Sequence, residues 1–245
     1  DCYNVYDLRE LAKKRLPRAV FEFVDRSTED HVALKNNREA FERIKLRHRS
    51  LVDVSGRSTK TTLFGKEIAL PMAIAPTGAA GLCWHEGELE LAKAAAKAKI
   101  PFTLATGALT SMEKIAREAN FRLWFQLYVW KERHLSHGLI ERAKNAGFEA
   151  LIVTTDTIVP PNREYNARNG FNIPFKPNMR FTMDIVKKPE WFLNVLVKYL
   201  TTIGLPRNEN YPPEFREILR TDPRAKEMMR QDALNWDDIA KFRDM

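Results

Sequence analysis

LWFQLYV, residues 123 to 129, is a run of strand length that is apolar at every position except Gln126 and, two places on, Tyr128. A strand with one wet face alternates polar and apolar residues; this one does not, so it reads as a parallel strand covered on both sides. LPMAIAP (70–76), PFTLAT (101–106) and ALIVTT (150–155) have the same character. Between them EGELELAKAAAKAK, SMEKIAREA and ERHLSHGLIERAKNAG are amphipathic at helical spacing, the last closing on Gly147. With NWDDIAKFRDM (235–245), opened by Asn235 as a cap, they make four successive βα steps.

Two parallel architectures fit such a pattern, an open doubly wound sheet and a (β/α)8 barrel. The open sheet calls for a glycine-rich turn after its first strand, but APTGAAG (75–81) carries only Gly78 and Gly81 and lacks GxGxxG. A barrel gathers its chemistry at the C-terminal ends of several strands at once. Here Thr77 and Gly78 follow the first strand, Thr106 and Gly107 end the second, Gln126 and Tyr128 the third, Thr154 and Asp156 the fourth. The sequence therefore predicts a TIM (β/α)8 barrel, of α/β class. Residues 1–245 read as one domain: a largely helical preface (1–69), strands one to four (70–156), an insertion loop (157–234) and helix four (235–245). Within the preface, Pro17 suits a first turn, Thr28 reads as a helix cap, 46–68 hold short β-like pieces, and Gly65 marks a turn.

Composition bounds the rest. With 44% hydrophobic residues in 245 the chain can bury a large core. No run of eighteen apolar residues occurs and the start lacks a signal-like apolar core; Cys2 and Cys83 are far apart without CxxC spacing, which fits a reducing compartment. The expected location is cytoplasmic, peripheral on the inner membrane face. The net charge of +8 suits an anionic partner, but basic residues are interleaved with acidic ones, as in EKIAREANFR, so nucleic acid is not expected. His134 and His137, one turn apart on a charged helix, read as a solvated face, and no metal site is expected.

Side chains along a strand repeat every two residues, so Gln126 and Tyr128 share a face, as do Thr154 and Asp156. A buried amide without a partner costs about 1–3 kcal/mol, so Gln126 needs one. A flat heteroaromatic ligand with donors and acceptors would serve, and so would a neighbouring backbone or side chain.

LPMAIAPTG, FQLYVWKER and VTTDT followed by NRE, with the preface pieces LPRAVFEFVD, TED and NREAFERI, resemble the FMN-dependent 2-hydroxy acid dehydrogenase and oxidase family. That resemblance implies FMN as cofactor, a small L-2-hydroxy acid (lactate, mandelate or glycolate type) as substrate, a 2-oxo acid as product, and a homo-oligomer, a tetramer. It implies that Pro76, Thr77 and Gly78 run beside the flavin ring, that Ala105 and Thr154 contact it, and that Gln126 bonds its polar edge. Tyr128 falls at the substrate, Asp156 at the carboxylate that pairs with a catalytic histidine, and Arg163 near the substrate carboxylate. Phe23 stands where the family usually has a tyrosine, keeping the ring and losing a hydroxyl. Gly78, where oxidases commonly carry alanine, leans toward a dehydrogenase that passes electrons to quinone or another acceptor.

The family's histidine base, its neighbouring arginine and a strand-five lysine have no counterparts here, so the chain is expected to be incomplete at its C-terminus, part of a longer protein. In the insertion, 176–205 reads as a basic amphipathic helix with Lys187, Lys188, Lys198, Trp191, Phe192, Leu193, Leu196 and Tyr199, suited to an anionic membrane surface or, alternatively, to covering the barrel or a subunit contact. Two rival readings of the whole are an FMN barrel of other chemistry and a non-catalytic half-barrel that binds a partner.

Overall fold

A computed structural model describes residues 1–156, 158–159, 161–171, 179–216 and 233–245. Its preface holds helices α1 (Val5–Arg15), α2 (Arg18–Asp25) and α3 (Val32–Arg43), then an antiparallel hairpin of β1 (Thr61–Leu63) and β2 (Lys66–Ile68) turning at Gly65, whose φ of +73° suits glycine. The apolar runs form a parallel sheet of β3 (Phe102–Ala105), β4 (Leu123–Tyr128) and β5 (Ala150–Thr154) in chain order. Helices α4 (Gly87–Ala98), α5 (Met112–Glu118) and α6 (Arg133–Asn145) lie between successive runs. Neighbouring strands that follow chain order are what a stretch of barrel wall requires, and one half of a doubly wound sheet shares that order.

The first run departs from expectation. Residues 70–76 make no ladder; Ile74 alone bridges to Phe102, donating its N–H to Pro101 (2.9 Å) and accepting from Thr103 (3.0 Å). Pro71 and Pro76 flank it, and proline has no N–H to give a ladder. Two caps separate in the same way. Asn235 opens the C-terminal helix Trp236–Asp244 as expected, its side chain accepting from Asp237 and Asp238 while the Asp238 carboxylate accepts from Asn235 in return. Thr28 does not cap α3: the helix begins four residues later, at Val32, behind His31 in a left-handed conformation, and the Thr28 carbonyl accepts from His31 in the intervening turn. Pro17 sits one place before α2. Gly147, with φ of +86°, follows the last residues of α6 as a C-terminal stop.

Two hydrophobic cores result. The first lies between the sheet and its helices and contains Leu104, Phe125, Leu127, Met112, Ile115 and Leu139. The second joins α1 and α2 to the insertion through Leu16, Val20, Phe21, Trp191, Val195 and Tyr199. In the insertion the expected single amphipathic helix is two helical stretches, Met179–Val186 and a run from Pro189 to Thr202 that is π-helical over Phe192–Val197; residues 176–178 lie outside the described residues. The break falls at Lys187 and Lys188, before a proline that starts the second stretch. Its expected outward face is also divided. Trp191 and Tyr199 turn inward, Trp191 donating to the Leu82 carbonyl at 2.8 Å, and Lys188 donates to the last carbonyls of α1. Met183, Val186, Leu193 and Leu200 remain exposed. His137 packs against Phe242 instead of facing solvent with His134.

Candidate functional site

The strand ends converge as the sequence predicts, and hydrogen bonds explain how. Gln126 is 3% exposed at the C-terminal end of β4. Its Oε1 accepts from the Thr106 N–H (3.1 Å), and its Nε2 donates to the Thr154 hydroxyl on β5 (2.8 Å). Because a backbone N–H can only donate, Oε1 must face Thr106, which fixes the amide's orientation. The amide is thus satisfied within the protein across three adjacent strand ends. One N–H of Gln126 and the hydroxyl proton of Thr154 remain to be offered.

Two residues on, Tyr128 shares that face. Burial raises its phenol above the ordinary tyrosine value, the Asp156 carboxylate raises it further and Arg163 pulls the other way. The phenol is therefore a proton-bearing donor at neutral pH, within electrostatic reach of Asp156 and Arg163. Asp156 lies exposed just past β5. Arg163 sits at the start of the helix Glu164–Asn169, its guanidinium 4.9 Å above the Phe23 ring, which in turn lies 4.9 Å from Phe171. The cation–π contact ties the preface to the loop after β5. Tyr128, Asp156, Arg163 and Phe23 thus gather at one mouth.

Pro76, Thr77 and Gly78 reach the same rim on a loop, held by the Ala79 N–H donating to the Gly107 carbonyl at 3.0 Å. A Cβ at Gly78 would stand 3.6 Å from that carbonyl, ordinary van der Waals distance, so this position has room for alanine. Ala105 is buried, paired in register with Gln126, and meets the site through the strand end. Two further residues belong here. Thr106, fully buried, was visible as a polar strand end but without a role. Tyr211 comes from the insertion, where NENYPPEF offers no periodicity to read. Its hydroxyl lies 3.9 Å from where a Gly107 Cβ would be, and burial, with Tyr128 adding to it, pushes its phenol up to about 12. Asn210 pins this segment by donating to the Thr110 carbonyl and accepting from Met112, both at 2.9 Å.

The family model described as FMN-dependent dehydrogenase matches residues 12–245. The (S)-mandelate dehydrogenase of Pseudomonas putida is 35% identical over 243 residues, 99% of this chain and 60% of that protein. An L-lactate dehydrogenase of Pseudomonas syringae pv. syringae (strain B728a) is 37% identical over 189 residues, 77% of this chain and 50% of that one. A solved structure described as the monotopic membrane protein (S)-mandelate dehydrogenase superposes with a TM-score of 0.91 at 34% identity, covering 100% of this chain and 64% of that one. The fold is accordingly part of a TIM barrel, and the chain spans about 60% of the length of the mandelate dehydrogenase it matches.

FMN can be tested against the donor set itself. The spare Gln126 N–H and the Thr154 hydroxyl stand side by side as a donor pair, suited to the carbonyl and ring-nitrogen acceptors at the edge of an isoalloxazine, while Thr77 and Gly78 are exposed on the loop after the first apolar run. The residues present fit the ring of that group. By motif order, strand order and the match across residues 12–245, the chain belongs to the FMN-dependent dehydrogenase family.

Proposed function

We propose that this chain supplies the ring-facing and substrate-facing strand ends of an FMN-dependent L-2-hydroxy acid dehydrogenase of the mandelate or lactate type. The observation that carries the reading is the meeting of Tyr128, Asp156, Arg163 and Phe23 beside the Gln126–Thr154 donor pair. Bound FMN supplies a two-electron acceptor for oxidation of the hydroxy acid to the 2-oxo acid. Arg163 attracts the substrate carboxylate, and its position over Phe23 limits the directions from which the anion can approach. Tyr128 donates a hydrogen bond through its phenolic O–H to a substrate oxygen. Asp156 offers a carboxylate to stabilise an imidazolium, the role the family resemblance gives it. Gly78 favours an acceptor other than oxygen, such as quinone.

The same reading places the protein at an anionic membrane surface. The superposed mandelate dehydrogenase is described as a monotopic membrane protein, and no helix among the described residues is long and apolar enough to cross a membrane. Exposed Met183, Val186, Leu193 and Leu200 near Lys187 and Lys198 support contact from one side.

The test is anaerobic bleaching of flavin absorbance in the full-length protein by (S)-mandelate, L-lactate and glycolate. One of these should bleach it, and Arg163→Met should raise KM at least about tenfold, as loss of a charge-assisted contact predicts. A flavin that none of them bleaches would move the protein to other FMN-barrel chemistry. Failure to retain flavin would favour a binding role.

A further inference from the structure

β3 pairs with β4 only as far as Ala105 opposite Gln126, while β4 continues beside β5 to Tyr128 opposite Thr154. β4 therefore runs on past β3 just after Gln126, and Tyr128 has no β3 residue opposite it. Thr106 fills that gap. Its hydroxyl accepts from the Tyr128 N–H (3.0 Å) and donates to the Gln126 carbonyl, and its own N–H donates to Gln126 Oε1 (3.1 Å). Side-chain bonds take over where the ladder stops. Thr106 is 0% exposed, so no water competes for these bonds of its hydroxyl.

We propose that Thr106 is a positioning residue that aims Gln126 and Tyr128 together, so that affinity for the flavin ring and affinity for the hydroxy acid are set by one hydroxyl. The proposal rests on the functional reading above for what those two residues bind. Its geometric part is independent: one hydroxyl spans residues 126 to 128, fixing the tilt of the peptides between them and hence the direction of both side chains. Without it the Tyr128 N–H and the Gln126 carbonyl both lose the hydroxyl that joins them, and the strand end beyond β3 is free to twist.

Three variants of the full-length protein decide it. Thr106→Val keeps the shape and removes the hydroxyl, Thr106→Ser keeps the hydroxyl, and Ser136→Ala removes a different fully buried hydroxyl, one that accepts from the Trp130 N–H at 2.8 Å away from the strand-end cluster. The first readout needs no ligand. Hydrogen exchange at the Tyr128 amide should quicken about a hundredfold or more in Thr106→Val and stay unchanged in Thr106→Ser and Ser136→Ala. The second is binding of FMN and, in the loaded protein, of phenylglyoxylate followed by the flavin absorbance band. Both dissociation constants should rise about fivefold or more in Thr106→Val, and stay within about twofold of wild type in Thr106→Ser and Ser136→Ala.

If exchange quickens but both affinities hold, or only one falls, Thr106 is structural and the proposal fails. Loss of either affinity in Thr106→Ser also overturns it, and needs no valine variant that folds. A wild-type protein that takes up no FMN would refute the functional reading, while the exchange readout would still decide whether Thr106 holds the strand end.

Discussion

The sheet core and the core beneath the preface close very different distances along the chain. In the first, Leu104, Phe125 and Leu127 come from neighbouring strands joined by single helices, and the apolar runs that build it can be read directly. In the second, Leu16, Val20 and Phe21 meet Trp191, Val195 and Tyr199 from more than 150 residues away. The strand-end cluster rests on the first core. Arg163 and Phe23 reach it through the elements gathered around the second. Function here depends on a local frame completed by distant parts, and the two should fail differently.

The largest effect sharpens that contrast. Phe125→Ala removes a fully buried ring from the centre of β4 and is expected to cost about 4 kcal/mol, by transfer and cavity terms together, with both cores lost in one denaturant transition. Trp191→Ala is also expected to cost about 3 kcal/mol, since it removes a ring and leaves the Leu82 carbonyl without its indole donor. Its loss should appear first as faster hydrogen exchange in α2 and residues 189–202, with β4 still protected. Equal early exchange in β4 would show that the two cores are one cooperative unit.

The same difference explains what could be read in advance. Gln126, Tyr128, Thr154 and Asp156 were legible because a strand's period of two is a local property and because an amide inside an apolar run must be answered. Thr106 was legible as a polar strand end, but its three bonds depend on where β3 stops relative to β4, which is a matter of register. Residues 70–76 looked as apolar as the other strands. Only their prolines, which remove donors without changing hydrophobicity, set them apart. Tyr211 and the stacking of Arg163 on Phe23 carry no local signature at all, because chain distant in sequence brings them in. The split of the insertion helix could have been anticipated at Pro189, whereas the inward turn of Trp191 and Tyr199 required knowing that a second core existed to receive them.

A smaller effect is expected at the seam between the cores. Glu88, 1% exposed on α4, accepts from the Gly81 and Leu109 N–H groups and from the Thr110 hydroxyl, all at 3.1 Å. Gly81 faces the second core so closely that a Cβ there would collide with the Tyr199 hydroxyl, while Leu109 and Thr110 lie in the loop after β3. One carboxylate therefore ties both sides together. Glu88→Ala leaves those donors buried and unanswered, and is expected to cost about 2–3 kcal/mol in chemical denaturation. Glu88→Gln keeps one acceptor oxygen and should recover part of that. If Glu88→Ala costs less than about 0.5 kcal/mol, the seam is held by packing alone and the carboxylate has no mechanical part in joining the cores.

The smallest effect on stability falls on the outer face of the second core. Leu193 and Leu200 belong to the same helical run as Trp191 and Tyr199, yet they are 59% and 52% exposed while those two are 5% and 0%. A run that buries one face and leaves the other apolar side in water has two surfaces to satisfy, and only the first is satisfied by the fold. Replacing both leucines by serine should shift the unfolding midpoint by no more than about 0.5 kcal/mol, because neither side chain is packed. Binding to vesicles containing anionic phosphatidylglycerol should nevertheless fall several-fold in co-sedimentation, since each leucine withdrawn from the interface forfeits its transfer free energy. Added salt should weaken wild-type binding by screening Lys187, Lys188 and Lys198, although the hydrogen bonds from Lys188 to the end of α1 keep its ammonium from reaching out to a lipid headgroup as freely. Undiminished sedimentation of the double variant at low salt would show that the exposed leucines are not what meets the lipid.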